Sequence, residues 1–417
     1  MKKLFTLLFF AFLTCSSAFA QDYYVVWGKV TDTVDGEPVY LSSVTLSKTN
    51  IATVTNADGV FSLKIPIIES RGASVEISHL GFITATVSIE ELLNTTQKNP
   101  LPIKLTKTTI MLDPATIVAL EASTVVNEAF YRVRQNYSRD YEVMTAFYRE
   151  TIKKNNNKYL SMCEAILDIS KAPYESIVSD RVGIYKGRGS VNYNSADTLF
   201  INYQGGVTGT LELDVVKDPF IGVYMTDVHK SYDFKFDVPA VIDNRNFYVI
   251  NFNQKPTVDV PLYKGKIYIE TETFAVGRIE FSINSARFPE VVSNYVVKHP
   301  RDTKFELDDT DYIINYKESE GKWYYDYGRM EINISGKKKN NLFKARYKIV
   351  SELAVTDHYE GKLEIDQENR LTYRDILQSK IDSFTDENFW EGYNVIEPDR
   401  SIDQILNTIV KQLRRRR

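Results

Sequence analysis

Residues 53–65 read TVTNADGVFSLKI, a stretch that fits either a calcium loop or a turn followed by a β-strand. A calcium loop of the EF-hand type needs an acid at its first position and a bidentate Glu at its last, with its glycine midway. With Gly59 as that glycine, the two positions hold Val54 and Ile65, whose side chains carry no oxygen. The calcium interpretation therefore fails, because two of the required ligands are hydrocarbon.

The turn interpretation agrees with the residues on both sides. Asp58 and Gly59 accept the positive φ angles of a tight hairpin turn. Phe61, Leu63 and Ile65 then alternate with polar residues, which is the period of a strand with one buried face. The stretch therefore predicts a hairpin turn followed by a half-buried strand.

The same alternation continues in the neighbouring segments. Short apolar stretches separated by Gly, Pro, Asn and Asp predict strands within residues 25–32, 35–50, 73–89 and 102–113. Several short strands at this spacing predict a small antiparallel β-sandwich.

Four short motifs in this region resemble those of the carboxypeptidase-regulatory-like domain. In order they are GKVTD (28–32), GEPV (36–39), TNADGVF (55–61) and SHLGF (78–82). The resemblance places such a domain at residues 24–106 and implies a transthyretin-like, seven-strand sandwich with no peptidase activity of its own. Further along the chain come a predicted helix, NY (136–137), a strand with FYRE (147–150), a turn and another strand. This order resembles that of a group of exported bacterial envelope proteins that carry the module at their front, and that group implies no reaction.

The N-terminus has the pattern of a secretory signal peptide. Two lysines, an apolar run at 5–13 and a small-x-small site ending at Ala20 predict that residues 1–20 are removed. A lipid anchor at Cys15 is the alternative, but Thr14 fits poorly where a lipoprotein signal has a small residue. We expect an exported protein in the periplasm or on the periplasm-facing side of the outer membrane. No segment has the roughly 20 apolar residues of a membrane-spanning helix, so no transmembrane span is expected.

Composition favours a β-rich globular protein. The chain has 417 residues with 27 Tyr and 22 Phe, residue types that fit pleated, half-buried surfaces. Its 51 basic and 55 acidic residues give a net charge of −4, which does not favour nucleic acid as a partner. After signal cleavage Cys163 is the one cysteine left, so no internal disulfide is expected.

A linker strand and helix are predicted for residues 107–140. An apolar stripe at helical spacing marks the helix, and it comprises Val125, Val126, Ala129, Phe130 and Val133. Ser123 or Thr124 is expected to cap its start and Asn136 to end it.

Residues 141–400 have the pattern of a β-rich domain. Alternating apolar and polar residues predict hairpins over 232–255, 263–284 and 311–335, and a strand over 342–355. Successive long hairpins predict a larger curled antiparallel sheet, half-barrel-like and similar in fold to the half-open barrels of lipoprotein carriers. The predicted fold class is thus mostly β.

Residues 401–417 are predicted to form a C-terminal amphipathic helix with a basic tip of four arginines. We expect this helix to pack over the open face of the curled sheet, with the arginines in solvent. The alternative is a helix that lies on an anionic membrane.

The histidines form no recognisable metal or catalytic motif. None of the four begins an HExxH run. His79 lies in a sandwich motif and is interpreted as structural, and His299 precedes Pro300 in a predicted turn.

Four further features are interpreted as structural rather than catalytic. His358, with Glu360 nearby, is expected in a loop. GRGSVNYN (187–194) lacks the second flank of a nucleophile elbow and predicts a turn. The acidic run FELDDTDY (305–312) predicts a solvated loop, with a cation site as the alternative. Cys163 is expected in a buried strand without an electropositive partner.

With no catalytic, cofactor-binding or metal-binding residue assigned, the favoured function is that of a non-enzymatic cell-envelope protein. The sandwich is expected to contact a partner protein of the envelope, and the curled sheet to offer an apolar surface to a lipid or peptide ligand. The alternatives are a hydrolase that acts on envelope glycan or peptide through carboxylates, and a scaffold without a ligand. Two facing carboxylates in a cleft would favour the hydrolase, and an apolar concavity without them would favour the binding protein.

Overall fold

The computed structural model describes residues 23–108, 120–155, 158–191, 206–219, 228–296, 302–339, 342–383, 389–399 and 402. Within them the protein is mostly β, as predicted, with two small sheets near the N-terminus and one large sheet after them. The predicted signal peptide and, apart from Ile402, the predicted C-terminal helix lie outside these residues.

The N-terminal region forms a small sandwich with a core of its own. Its seven strands are β1 (Tyr23–Asp32), β2 (Ser43–Leu46), β3 (Ala52–Val54), β4 (Val60–Pro66), β5 (Ser74–Ser78), β6 (Ala85–Ser88) and β7 (Leu101–Leu105), with a 310 helix (Ile67–Glu69) and helix α1 (Ile89–Leu92) between them. One sheet has the order β4-β1-β7 and the other β3-β2-β5-β6. Phe61, Leu63 and Ile65 are fully buried in this core, as their alternation predicts. Strands β1 and β7 run parallel, so the sandwich is not wholly antiparallel.

The predicted turn at Asp58-Gly59 forms, but it does not make a hairpin. Strand β3 pairs with β2, and β4 pairs with β1, so the turn carries the chain from one sheet to the other. The Asn56 side chain accepts hydrogen bonds from the backbone amides of Asp58 and Val60, at 3.0 and 2.9 Å. This local bonding takes the place of pairing between the two strands. Of the two predicted positions, Gly59 takes a positive φ, 73°, and Asp58 does not.

Two helices follow the sandwich. They are α2 (Ala122–Tyr131) and α3 (Val133–Asn136). The single predicted helix is divided at Arg132, so the first helix ends at Tyr131 and only the short second helix ends at the predicted Asn136. The predicted cap at Ser123 or Thr124 is wrong, because the helix begins earlier, with Glu121 at the N-cap position. Packing explains the early start, since Ala122 is buried with the rest of the apolar stripe.

One large, open sheet occupies most of the remaining chain. Its strands are β8 (Glu142–Lys154), β9 (Lys158–Lys171), β10 (Arg181–Val191), β11 (Tyr232–Phe236), β12 (Ala240–Ile242), β13 (Arg245–Gln254), β14 (Tyr263–Glu270), β15 (Val276–Ile283), β16 (Thr303–Ser319), β17 (Lys322–Lys338), β18 (Ala345–Glu360), β19 (Arg370–Leu371) and β20 (Asp382–Ser383). The order is β11-β13-β14-β15-β16-β17-β18-β8-β9-β10-β19, with β12 beside β13 and β20 beside β10. The short helices are α4 (Gly206–Glu212) and α5 (Val228–Ser231), with 310 helices at Pro289–Asn294 and Leu377–Ser379. Apart from β10 with β20 the pairs are antiparallel, which confirms the predicted hairpins.

Three segments predicted as loops or turns lie inside strands. They are residues 305–312 in β16, residues 187–191 in β10, and residues 357–360 in β18. In β16 and β18 the pairing register shifts at a β-bulge within or beside these residues, and a bulge admits polar residues that break the alternation. In β10, a Cβ on Gly187 or Gly189 would lie 2.5 or 2.8 Å from Ile381. These glycines therefore permit close packing rather than a turn.

The central strands of the large sheet are buried on both faces. In β8, Ala146 and Tyr148 belong to the main core together with α2 and α4, and Phe147 between them points to the opposite face. A second apolar cluster on that opposite face joins the sheet to the sandwich. Its members are Leu41, Val54, Phe147, Ile166, Tyr327, Ala354, Val395 and Ile396. Among the described residues, helices thus cover one face of these strands and the sandwich covers the other.

Candidate functional site

A segment near the C-terminus ties the sandwich to the large sheet. Residues 389–399, here termed the strap, run between them, and Asn394 Oδ1 accepts a hydrogen bond of 2.7 Å from the backbone amide of Lys64. From the sheet, the Arg149 guanidinium donates to the Ile396 carbonyl at 2.7 Å. Further side chains that donate to the strap are those of Thr53, Asn56, Ser62 and Lys64. The strap is therefore a polypeptide segment held from both sides.

The sandwich also contacts the large sheet directly. Tyr40 donates a hydrogen bond to Glu352 at 2.5 Å, and the Gly81 amide donates to the Val241 carbonyl at 2.8 Å. Lys317 of β16 donates to side-chain hydroxyls of β2. This side of the sandwich therefore contacts its own chain, and the surface left for a partner lies elsewhere.

A groove of about 1100 Å³ lies between the strap, β1 and the neighbouring strands β8–β10. Aromatic rings line it, and they belong to Tyr23, Trp27, Tyr185, Trp390 and Tyr393. The rings of Tyr185 and Tyr393 lie 5.1 Å apart, and Tyr185 is 56% exposed. The groove therefore presents rigid ring surface to solvent, which provides contact area at low entropic cost.

Three charged side chains, here termed the triad, form the floor of the groove. Glu164 of β9 lies between Arg149 of β8 and Arg188 of β10, with guanidinium nitrogens 2.7 and 2.9 Å from its two carboxylate oxygens. Strand register places the three side by side, since Glu164 is paired with both arginines across the ladder. Glu164 is 1% exposed and Arg149 is 3% exposed. The Arg188 guanidinium also lies over the Trp390 ring, 4.7 Å from its centre.

The triad supplies fixed charge rather than acid–base chemistry. Burial by itself raises the pKa of the Glu164 carboxyl, but the two guanidinium groups more than offset burial and hold that pKa below its usual range. The carboxylate therefore stays ionised at neutral pH, and both of its oxygens are engaged. Two positive charges against one negative charge leave the triad itself net positive, while Lys64, Glu391 and Glu397 also line the groove.

A second buried charge cluster lies on the opposite face of the sheet. Lys171, at the end of β9, contacts Asp180 at 2.7 Å and Asp214 at 2.8 Å, and Lys217 contacts Asp180 at 2.5 Å. Burial lowers the pKa of the Lys171 ammonium, but the two carboxylates more than offset burial and raise it. Lys171 therefore stays protonated and is no nucleophile. The cluster is charge-balanced and holds the residues just before β10 and just after α4 against the end of β9.

A third polar region lies between the sandwich and strands β16 and β17. Asp326 lines a cavity of about 430 Å³ together with Lys317 and His358. It also lines a neighbouring cavity of about 40 Å³ together with Asp243. Burial raises the pKa of Asp326 to about 6, and the nearby Asp243 charge acts in the same direction. Asp243 and Asp326 thus line a space that holds no more than about one water molecule. The larger cavity is lined by Asp326 together with Glu76, Glu318 and Glu320.

His79 and His358, two of the histidines considered in the sequence, have different surroundings in the structure. His79 is structural, since its Nδ1 lies 3.4 Å from the Leu41 carbonyl and its ring packs edge-on against Phe82. Burial lowers the pKa of His79 to about 4, so the ring is neutral at physiological pH. The His358 ring lies 4.4 Å from the ring of Tyr324. Among the described residues, neither His79 nor His358 has a ring contact with a second imidazole.

The remaining sequence candidates give no catalytic group. Cys163 is buried in β9, its thiol donates to Gln378 at 2.8 Å, and burial raises its pKa, so the thiol is not activated. His229 lies in α5, and His299 lies outside the described residues. In the part of the chain that the structure describes, no group of three or more His, Cys, Asp or Glu could hold a metal ion. No helix of that part is long and apolar enough to cross a membrane.

Sequence reasoning did not find the triad, although part of its signal was present. Glu164 lies in an apolar run interpreted as a buried strand, and Arg149 lies in the alternating segment before it. A charge inside a buried strand needs a partner of opposite sign, so these two could have been paired. Arg188 could not have been paired with Glu164 in this way, because its segment was expected to be a turn.

Fold and site together define a mostly-β protein in which a small sandwich, a large open sheet and a strap enclose a groove with a charged floor. Residues 26–117 match the family model of the CarboxypepD_reg-like domain, which confirms the resemblance seen in the N-terminal motifs. No curated protein matches the chain.

Three solved structures are similar to the chain at low identity. A DUF1329 family protein from Desulfovibrio piger ATCC 29098 has 11% identity and a TM-score of 0.22, over 57% of this chain and 94% of that one. MucB in complex with MucA(peri) has 9% identity and a TM-score of 0.18, over 58% and 100%. The MucA/MucB complex of Pseudomonas aeruginosa has 10% identity and a TM-score of 0.19, over 58% and 100%. Likeness at these TM-scores defines neither a common fold nor a common function.

Proposed function

We propose that this chain is a non-enzymatic protein of the bacterial cell envelope that binds a polypeptide segment of a partner protein in the groove. The groove carries the proposal, with its volume of about 1100 Å³, its aromatic lining and the net positive triad at its floor. Apolar rings together with a few fixed polar groups are typical of binding sites. The strap supports the same idea, because Arg149 and Lys64 already donate to backbone carbonyls of such a segment.

The groove is a better candidate than the faces of the large sheet. The predicted apolar ligand surface would require an uncovered apolar face, and the central strands have both faces covered among the described residues. The triad at the floor of the groove also offers no free acid or base, because both oxygens of Glu164 contact arginines. Of the other acids that line the groove, Glu391 contacts Lys186 and Glu397 accepts a hydrogen bond from Ser62. These observations favour binding over hydrolysis at this site.

A site-specific photo-crosslink tests the proposal. The photoreactive residue p-benzoylphenylalanine replaces Tyr185, which is 56% exposed at the groove, and in a matched control it replaces Tyr373, which is 59% exposed and does not line the groove. Irradiation of cells of the native host should give an adduct with a partner polypeptide from position 185 and none from position 373. No adduct at 185, or the same adduct at both positions, would refute the proposal.

Export is part of the proposed function and has its own test. The signal sequence supports release into the periplasm or onto the periplasm-facing side of the outer membrane. Cell fractionation followed by N-terminal sequencing should find the mature protein in the envelope fraction, beginning at Gln21. A mature chain that begins at a lipid-modified Cys15 would show anchoring instead, and a chain that still begins at Met1 in the cytosol would refute export.

A hydrolase remains the second candidate, and Asp326 is the observation that favours it. A carboxyl with a pKa raised to about 6 beside a cavity of about 430 Å³ has the protonation behaviour of a general acid. Asp326→Asn should then abolish release of labelled fragments from envelope glycan or peptide substrates. Equal release by both proteins, or none by the wild type, would exclude this role.

A further inference from the structure

One end of the large sheet carries a concentrated positive charge. We term it the basic tip and define it as the described residues of 153–158 at the β8–β9 turn, those of 337–346 at the β17–β18 turn, and Lys304 at the start of β16. The two turns are joined, because Asn155 and Arg346 exchange hydrogen bonds of 2.8 and 3.0 Å. The basic tip is therefore one surface built from two turns and the start of β16.

The positive charge of this surface exceeds what its acids neutralise. Five lysines and two acids line a cavity of about 550 Å³ here, and they are Lys304, Lys337, Lys338, Lys339 and Lys344 with Asp302 and Glu306. Glu306 is shared by Lys304 and Lys344, at 3.0 and 2.6 Å, and Asp302 lies 3.4 Å from Lys338. Lys337 and Lys339 have no ion-pair partner among the described residues. The excess stands out in a chain whose net charge is −4.

Two large apolar side chains protrude from the same turn. Leu342 is 91% exposed and Phe343 is 84% exposed, and Lys339 and Lys344 flank them in sequence. Two adjacent residues at the tip of a hairpin are too small a surface for a stable protein interface, which buries about 800 Å² on each partner. Protruding apolar residues with lysines around them instead fit the boundary between lipid headgroups and acyl chains.

We propose that the basic tip docks on an anionic lipid bilayer. Leu342 and Phe343 enter the headgroup boundary, and the surrounding lysines contact lipid phosphates. Charge complementarity favours an anionic bilayer, because a surface with excess lysine is attracted to anionic lipid. Transfer of the two apolar side chains out of water adds favourable free energy. The inference is independent of the groove, which lies at a different part of the sheet.

Vesicle flotation of the purified chain tests the proposal. We expect binding to vesicles of phosphatidylcholine mixed with phosphatidylglycerol, weaker binding to phosphatidylcholine alone, and a loss of binding as salt screens the lysines. Two double variants, Lys337→Glu with Lys339→Glu and Leu342→Ser with Phe343→Ser, should each weaken partitioning by about tenfold or more. All four side chains are exposed, so unchanged melting curves should show that the variants are folded.

Matched controls come from the sandwich. Lys98→Glu with Lys104→Glu makes the same charge change at exposed positions, and Ile68→Ser removes an apolar side chain that is 87% exposed. Both controls should bind vesicles like the wild type. Equal binding to both vesicle types, equal loss in the controls, or tip variants that bind vesicles normally would overturn the proposal. If the tip variants instead lose a crosslinked protein partner while vesicle binding persists, the tip is a protein-binding surface and the lipid proposal is wrong.

Discussion

Glu164→Gln removes the negative charge that holds Arg149 and Arg188 in the floor of the groove. Burial lowers the pKa of the Arg149 guanidinium, but Glu164 and then Glu352 more than offset burial, so the group is charged in the folded protein. The variant therefore leaves two neighbouring cations, the buried Arg149 and the partly buried Arg188, without the carboxylate that lies between them. Breaking a buried ion pair by removing one partner costs about 3–5 kcal/mol in the free energy of unfolding. Arg149 keeps its bond to the Ile396 carbonyl, so we expect a loss near the lower limit, about 3 kcal/mol.

Chemical denaturation followed by two probes measures this loss. Tryptophan fluorescence reports the groove through Trp27 and Trp390 and the main core through Trp323. Far-ultraviolet circular dichroism reports the sheets. Glu306→Gln is the matched control, since Glu306 also contacts two basic side chains but lies at an exposed site, where ion pairs contribute little. A Glu164→Gln protein that unfolds at the same denaturant concentration as the wild type would refute the reasoning.

Acidification gives a second measurement on the same variant. The folded pKa of Glu164 lies below its value in the unfolded chain, which is about 4.3. Its stabilising contribution is therefore present above that pH and is lost as the pH falls through the folded pKa. We expect the stability difference between the wild type and Glu164→Gln to be constant near neutral pH and to shrink below about pH 4. A difference that grows on acidification would contradict the assigned charge state.

Three other predictions concern the sandwich, the cavity at Asp326 and the buried thiol of Cys163. Gly59→Ala should lower the melting temperature measured by calorimetry more than Gly72→Ala does. Both sites have a positive φ, but only at Gly59 would a Cβ lie 2.3 Å from the Val30 carbonyl oxygen. Equal losses would show that the positive φ alone accounts for the cost. Burial raises the folded pKa of Asp326 to about 6, above an unfolded value of about 3.9, so the wild type loses stability as the pH rises between these values. Asp326→Asn should therefore melt higher than the wild type at about pH 8 and equally at about pH 4, and the reverse order would be contrary to the assigned burial. Cys163 should resist a maleimide in the native protein and react in denaturant, whereas rapid native labelling would show that the thiol is accessible.

The strands could be predicted from the sequence because their signal is local. A strand with one buried face alternates apolar and polar residues, and this period predicted the hairpin that ends in β15 and the burial of Phe61, Leu63 and Ile65. The failures also have local causes. Bulges in β16 and β18 admit polar residues into strands, and glycines of β10 make room for Ile381.

The site could not be predicted because its contacts join distant parts of the chain. Arg149 and the Ile396 carbonyl are 247 residues apart, and Tyr40 and Glu352 are 312 residues apart. Alternation shows that Arg149 lies in a strand, but it does not show which strand lies beside it or which segment crosses over it. The triad depends on that pairing, and the groove depends on the docking of the sandwich as well.

The walls of the groove have a consequence for any partner that binds there. Tyr23 and Trp27 belong to the sandwich, Arg188 belongs to the sheet, and Trp390 belongs to the strap, so a ligand that contacts all of them bridges three separate segments. Binding then stabilises the docked arrangement as well as the folded units, because a ligand of the native state alone shifts the unfolding equilibrium. A peptide with the sequence of the partner segment identified by crosslinking should raise the free energy of unfolding by about 2.7 kcal/mol when its concentration is about one hundred times its dissociation constant.

The Glu164→Gln variant distinguishes a ligand that bridges the three segments from a ligand that binds the sandwich alone. With the floor of the groove disrupted, the same peptide should bind more weakly and give a smaller thermal shift, whereas Glu306→Gln should respond like the wild type. A peptide that contacted only the sandwich would stabilise the wild type and Glu164→Gln equally, because the triad lies on the sheet. Equal shifts in all three proteins would therefore place the binding surface away from the triad.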